Sequence, residues 1–181
     1  MVKSAYSFAT KKEKIENYIF VVWVDNEAGV LARVVGLFSG RGYNIDSLAV
    51  AEVDKKKNIS RITISTSGTQ QVLQQIKLQL GKLVPVHKVA DFPANKKTLL
   101  REMALIKIVS PKTQLEKAKK LCKKYKHTII DKTQKSYVFE VSALKKEIDY
   151  LLKKLQPLGL ASVSRTGVVA MTKGSEIYKQ N

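Results

Sequence analysis

Asn17–Asn44 reads NYIFVVWVDNEAGVLARVVGLFSGRGYN, and this stretch decides the fold. Asn17 to Val24 is dense in β-branched and aromatic side chains, the composition of a buried strand. Asp25-Asn26-Glu27-Ala28-Gly29 is a turn that carries capping residues. Beyond it Leu31, Val34, Val35 and Phe38 recur at i, i+3, i+4 and i+7, which predicts a helix with one apolar face. Gly40-Arg41-Gly42 ends that helix, because glycine takes the left-handed terminus without a Cβ penalty.

Outward from this stretch the same grammar continues. A strand is predicted from about Ile45 to Val53, a hairpin loop at Asp54–Asn58, and an alternating strand at Ser60–Thr66. A helix from Thr69 to Leu80 turns Leu73, Ile76 and Leu80 inward, and Val84–Phe92 is the last strand of this half. The order is βαββαβ. Phe92 to Lys97 reads as a linker, and the second half repeats the order. Its expected elements are a strand at Ala104–Val109, a helix at Thr113–Tyr125, short strands at His127–Asp131 and Ser136–Val141, a helix at Leu144–Leu155, and one closing strand at Ala161–Met171. The class is α+β, with two ferredoxin-like βαββαβ domains at residues 17–92 and 98–175. Each sheet should carry two helices on one face and leave the other free to pair, which is a reason to expect a dimer.

Composition narrows the function. With 44% hydrophobic residues in 181, most of the chain can form a core rather than stay disordered. The longest apolar run, Tyr18–Val24, is far short of a membrane span, and Met1–Glu16 lacks the apolar region of a secretory signal; a cytoplasmic protein is expected. Cys122 is the lone thiol and sits on a leucine-lined helix face, so it reads as core. With only His87 and His127 besides, a zinc site of the usual composition is not expected, and neither histidine belongs to an i, i+4 pair.

The net charge of +18 is uneven. Residues 1–92 hold 13 basic and 8 acidic residues, and residues 93–181 hold 20 and 7. Most of the surplus is lysine on predicted helices, a solvated face suited to an acidic partner. The βαββαβ order also occurs in RNA-binding modules that stack bases on central-strand aromatics, but Ser60–Thr66 has none. Tyr137 and Phe139 alternate in the second half without an aromatic partner from Leu105–Val109, so nucleic acid is not the expected ligand.

Asp25–Asn44 also carries the candidate chemistry. Gly29 at a helix N-terminus offers free N–H groups that suit a carboxylate, and nearby amides and carbonyls, with Asn44 beyond the helix, suit an ammonium. Carboxylate plus ammonium is an amino acid. On spacing alone, Gly29 also reads as a turn glycine and Asp25 or Asn26 as the helix cap. Gly40-x-Gly42 follows a helix, the wrong end for a phosphate loop.

Asn26 to Phe38 (NEAGVLARVVGLF) followed by Arg41 to Leu48 (RGYNIDSL) closely resembles the regulatory small subunit of acetolactate synthase, also called acetohydroxyacid synthase. Ser60–Ile64, Arg101–Lys107 and Ser164–Gly174 fit the same family. The resemblance implies an N-terminal ACT domain that dimerises, and an effector site for a branched-chain amino acid, usually valine, at that dimer interface. Carried over, the site would hold Asn26, Gly29 and Asn44, flanked by Val30, Leu31 and Ile45. It further implies a non-catalytic chain that partners a separate catalytic large subunit, on which thiamine diphosphate, Mg²⁺ and FAD reside. Ala28 stands where many members have Pro or Ser, and the second half is unusually lysine-rich. A basic nucleic-acid-binding protein, or an ACT amino-acid sensor with another client, are the alternatives.

Overall fold

The computed structural model describes residues 14–92 and 98–175. β1 (Glu16–Asp25), α1 (Val30–Ser39), β2 (Ser47–Asp54), β3 (Ile59–Gly68), α2 (Gln70–Leu80) and β4 (Val86–Phe92) form the first βαββαβ unit. Its antiparallel sheet has the order β2-β3-β1-β4, so β1 and β3 are central while β2 and β4 are edges. Alternation along β1 sends Phe20, Val22 and Val24 toward α1 and α2, where they meet Val34, Phe38, Leu73 and Ile76. α2 is capped by Thr69, whose hydroxyl accepts from the Val72 N–H. The expected linker at Phe92–Lys97 falls, except for Phe92, outside the described residues.

The second unit is β5 (Thr98–Val109), α3 (Lys112–Cys122), β6 (Lys126–Lys132), β7 (Ser136–Ala143), α4 (Lys145–Leu155), β8 (Leu160–Arg165) and β9 (Val169–Thr172). Its sheet order is β6-β7-β5-β8, and the fold is α+β with two ferredoxin-like units. Ala104, Ile106, Ile108, Phe139 and Val141 pack beneath α3 and α4 against Leu115, Ile148 and Leu155. Cys122 lies in this core, and burial pushes its thiol up to about 12. Tyr137 and Phe139 point into the same core, so they are not available to stack on bases.

Two expectations fail together. The single closing strand at Ala161–Met171 is in fact two, broken at Thr166–Gly167–Val168, where Gly167 takes φ +78°. β5 is also longer than Ala104–Val109, starting at Thr98, and its first four residues pair with β9 rather than with β8 (Thr98 with Thr172, Arg101 with Val169). The resulting two-stranded ribbon lies over the helix-free face of the first sheet. There Leu100, Val168 and Ala170 seal Ile19, Val21, Trp23, Ala90 and Phe92 into a third core. Arg61 stacks over Trp23 at 5.5 Å and donates to the Ala170 carbonyl, tying ribbon to sheet. The first sheet's second face is therefore not free to pair with another molecule. The reason is local: Ile19, Val21 and Trp23 alternate with the inward set on β1, so β1 is apolar on both sides and needs two covers.

Where the ribbon leaves the second sheet, Glu102 of β5 and Arg165 of β8 form an ion pair. Glu102, 3% exposed, receives two hydrogen bonds from Arg165, at 2.6 and 2.7 Å, and Arg165 also donates to Asp149 at 2.6 Å. Hydrogen bonds from the guanidinium to Glu102 raise the pKa of Arg165 above its ordinary value, against the opposing effect of burial.

Candidate functional site

The loop after β1 builds a helix N-terminus with unusual backbone chemistry. Gly29 is the N-cap of α1 at φ +83°, and no side chain caps the helix. Neither Asp25 nor Asn26 fills that role, contrary to expectation. The Asn26 Oδ1 instead accepts from Ser60 Oγ at 2.9 Å, and its backbone N–H donates to the Asn58 carbonyl at 2.8 Å. Asp25 pairs with His87 at 2.6 Å. The N–H of Val30 reaches the Glu27 carbonyl, whereas those of Gly29, Leu31 and Ala32 find no partner among the described residues. A ten-residue helix with no side-chain cap presents those groups and its positive end to solvent. Gly29 is also open on its Cβ side, with nothing within 4 Å.

Val30 is buried in the core, but Leu31 is 41% exposed. Its direction follows from the other side of the helix. The groove between α1 and α2 is lined by Arg33, Gly36, Leu37 and Arg41, so the flank with Leu31 and Val35 faces away from α2. Because α1 crosses from β1 to edge strand β2, that flank lies on the side of β2, where Val50 is 43% exposed.

Asn44 and Ile45 lie elsewhere. They precede β2, which starts at Ser47 rather than Ile45, and they follow the C-terminus of α1. Asn44 is anchored through its carbonyl, which accepts from Thr66 Oγ1 at 2.6 Å, and through Nδ2, which donates to Asp46 Oδ1 at 2.7 Å. Asn26 is held on Ser60 and Asn44 on Thr66, six residues apart on one strand, so within one chain they stand about 20 Å apart. The length of α1, about 15 Å, says the same. One chain therefore brings together Asn26, Gly29, Val30 and Leu31, and leaves Asn44 and Ile45 at the opposite end of the helix. The helix between the two parts of the motif sets this separation.

Among the described residues no cluster of three His, Cys, Asp or Glu could hold a metal, and no helix is long and apolar enough to cross a membrane.

A βαββαβ sheet with an uncapped, glycine-led first helix, joined to a second ferredoxin-like unit, is the architecture of an ACT-type protein. Comparison with known proteins narrows the class. A family model described as the AHAS small subunit-like ACT domain matches residues 20–88, and one for the small subunit of acetolactate synthase matches residues 101–174. The isozyme 3 small subunit of Salmonella typhimurium is 38% identical over 162 residues, 89% of this chain and 98% of the relative. The Aquifex aeolicus small subunit is 33% identical over 171 residues, 94% of this chain and 88% of that one. The crystal structure of the Thermotoga maritima small subunit aligns with a TM-score of 0.80 at 30% identity, covering 89% of this chain and 99% of its own. The chain belongs to the acetolactate synthase small-subunit family: it is a regulatory subunit with an ACT domain.

Proposed function

We propose that this chain dimerises through β2 and α1 of its ACT domain, binds a branched-chain amino acid, valine, between the two copies, and relays that binding to a catalytic large subunit. In that complex it raises acetolactate formation and confers feedback inhibition by valine. Thiamine diphosphate, Mg²⁺ and FAD belong to the large subunit, and the complex works in the cytoplasm.

The observation that carries this reading is the exposed N-terminus of α1 beside an unpaired edge strand. With the outer sheet face covered by the ribbon, the edge of β2, where Val50 and Val53 are exposed, is the most open apolar strand surface among the described residues of the domain. Antiparallel two-fold pairing of β2 with its copy would set the two α1 helices side by side and head to tail. The start of one then meets the region after the end of the other, and Gly29 comes opposite Asn44 of a second copy. The carboxylate of valine suits the free N–H groups of α1, and its side chain suits the exposed flank of Leu31 and Val50. The same pairing reunites residues that one chain holds about 20 Å apart.

The test is reconstitution. The purified large subunit is assayed for acetolactate with and without this chain, over a valine titration, alongside Gly29→Asp. Higher activity, inhibition by valine, and loss of that inhibition in Gly29→Asp are expected. Wild-type valine sensitivity in Gly29→Asp would move the effector elsewhere, and a monomer in sedimentation at micromolar concentration would remove the dimer.

A further inference from the structure

An amino acid brings a cation as well as an anion, and a site that offers it only neutral acceptors also admits 2-hydroxy and 2-keto acids of the same shape. Two carboxylates near the α1 start are unsuited to the task. Asp25 is engaged by His87, and Asp54 accepts the N–H groups of Lys56 and Lys57 in the β2–β3 hairpin. Asp46 differs from both. Its backbone N–H is anchored to the Ser65 carbonyl at 2.8 Å, and its Oδ1 accepts from Asn44 Nδ2 at 2.7 Å, so the residue is held by two uncharged partners.

Among the described residues it makes no ion pair. Asp46 lines a crevice of about 350 Å³ whose far wall carries Lys145 and Arg165. Arg165 is committed to Glu102 and Asp149, and among the described residues no ion pair joins Asp46 to Lys145. The contact between Asn44 and Asp46 settles a second point. An ionised carboxylate only accepts, so the amide group facing Asp46 is the NH₂, and Asn44 Oδ1 is left as an acceptor on the other side.

We infer that Asp46 is a specificity-determining residue of the effector site: with Asn44 Oδ1 it receives the α-ammonium, and so selects α-amino acids over 2-hydroxy and 2-keto acids of the same carbon skeleton. This rests on the effector reading above. The pair forms a cradle with one charged and one neutral acceptor, and an uncharged hydroxyl draws little from the charged half.

The experiment is calorimetric titration of the full chain with L-valine and with 2-hydroxyisovalerate, for wild type, Asp46→Asn and Glu27→Gln. Glu27 is the exposed carboxylate next to the α1 start and serves as the charge control. Wild type should prefer valine by at least about tenfold, the scale of one charge-assisted hydrogen bond. Asp46→Asn should erase most of that preference by weakening valine while leaving the hydroxy acid unchanged, and Glu27→Gln should keep it. Full preference in Asp46→Asn, or its loss in Glu27→Gln instead, overturns the assignment. Failure of the wild-type chain to bind valine at all would overturn the effector reading itself, and the role of Asp46 with it.

Discussion

The two sheets differ most on the face turned away from their helices. On the first sheet that face is apolar, with Ile19, Val21, Trp23 and Phe92, and the β5–β9 ribbon covers it. On the second sheet the matching positions include the exposed Lys107, Glu140, Ser162 and Ser164 beside half-buried Leu105 and Val138. Among the described residues no element is packed over them. An apolar face draws a cover from its own chain because the burial of several large side chains outweighs the entropy of ordering a short ribbon. A polar face has no such drive. The difference also relocates the dimer argument: what is left apolar and open in the ACT domain is an edge, not a face.

The largest effect should come from breaking the covered face. Val168→Asp would bury a carboxylate against Ile19, Val21 and Trp23 in the third core and should cost about 3 to 5 kcal/mol in urea unfolding. Ser164→Asp on the bare face should change stability by less than about 0.5 kcal/mol. Equal losses from both would mean the ribbon does not seal the first sheet.

Next in size are the effector variants, which probe the edge. Gly29→Asp sets a second carboxylate in the anion site and should weaken valine on the order of 10²-fold. Gly29→Ala finds space, but its φ of +83° should lower stability by about 1 to 2 kcal/mol. Asn44→Ala should cost about 1 to 3 kcal/mol of valine binding, read in the titration of the reconstituted enzyme, with activation of the large subunit largely kept.

A smaller effect sharpens the helix-side packing of the first sheet. Burial alone would raise Asp91, but hydrogen bonds from Lys77 and Tyr18 outweigh it and hold its carboxyl below the ordinary range. A carboxyl depressed in the folded state stabilises the fold above its unfolded pKa and stops doing so as pH falls through the folded value. Lys77→Met should therefore lose up to about 1 kcal/mol at neutral pH, discounted for the exposure of both partners. The deficit should shrink as pH falls below the carboxylate range. A constant deficit from neutral pH into acid would show that packing, not charge, is lost.

The smallest stability effect belongs to the lysines of α3 and α4. Lys120→Glu with Lys153→Glu should leave the unfolding midpoint nearly unchanged, within about 0.5 kcal/mol. If this face meets an acidic surface of the large subunit, the same pair should weaken the complex, and high salt should narrow the gap to wild type through screening. Tight RNA binding at physiological salt would point to the other partner class.

Periodicity made most of this fold legible. Leu31 to Phe38 set a helix, Leu73 to Leu80 another, and alternation in Ser60–Thr66 a strand, because these patterns report one buried face over a few residues. It misread Ala161–Met171, where alternation in Ala161–Ser164 and the apolar run Val168–Met171 read as one strand although the strand breaks at Thr166–Val168. The turn depends on close approach to another element: a Cβ on Gly167 would stand 3.2 Å from Ser47 Cβ, 120 residues earlier. Nothing in the local sequence records that neighbour. Likewise, Asn26 looks like a cap because the residue type suits one, but Ser60 claims its side chain.

By itself, then, the sequence determined the family, the two βαββαβ units and the helix start at Gly29, since each rests on local periodicity, backbone preference or a motif of nearby residues. The tertiary structure alone decided that the ribbon closes the first sheet, that Glu102 and Arg165 meet, and that Asn44 stands a helix length from Gly29. These are contacts and separations between residues far apart in the chain, and burial energy in three dimensions, not local preference, selects among them.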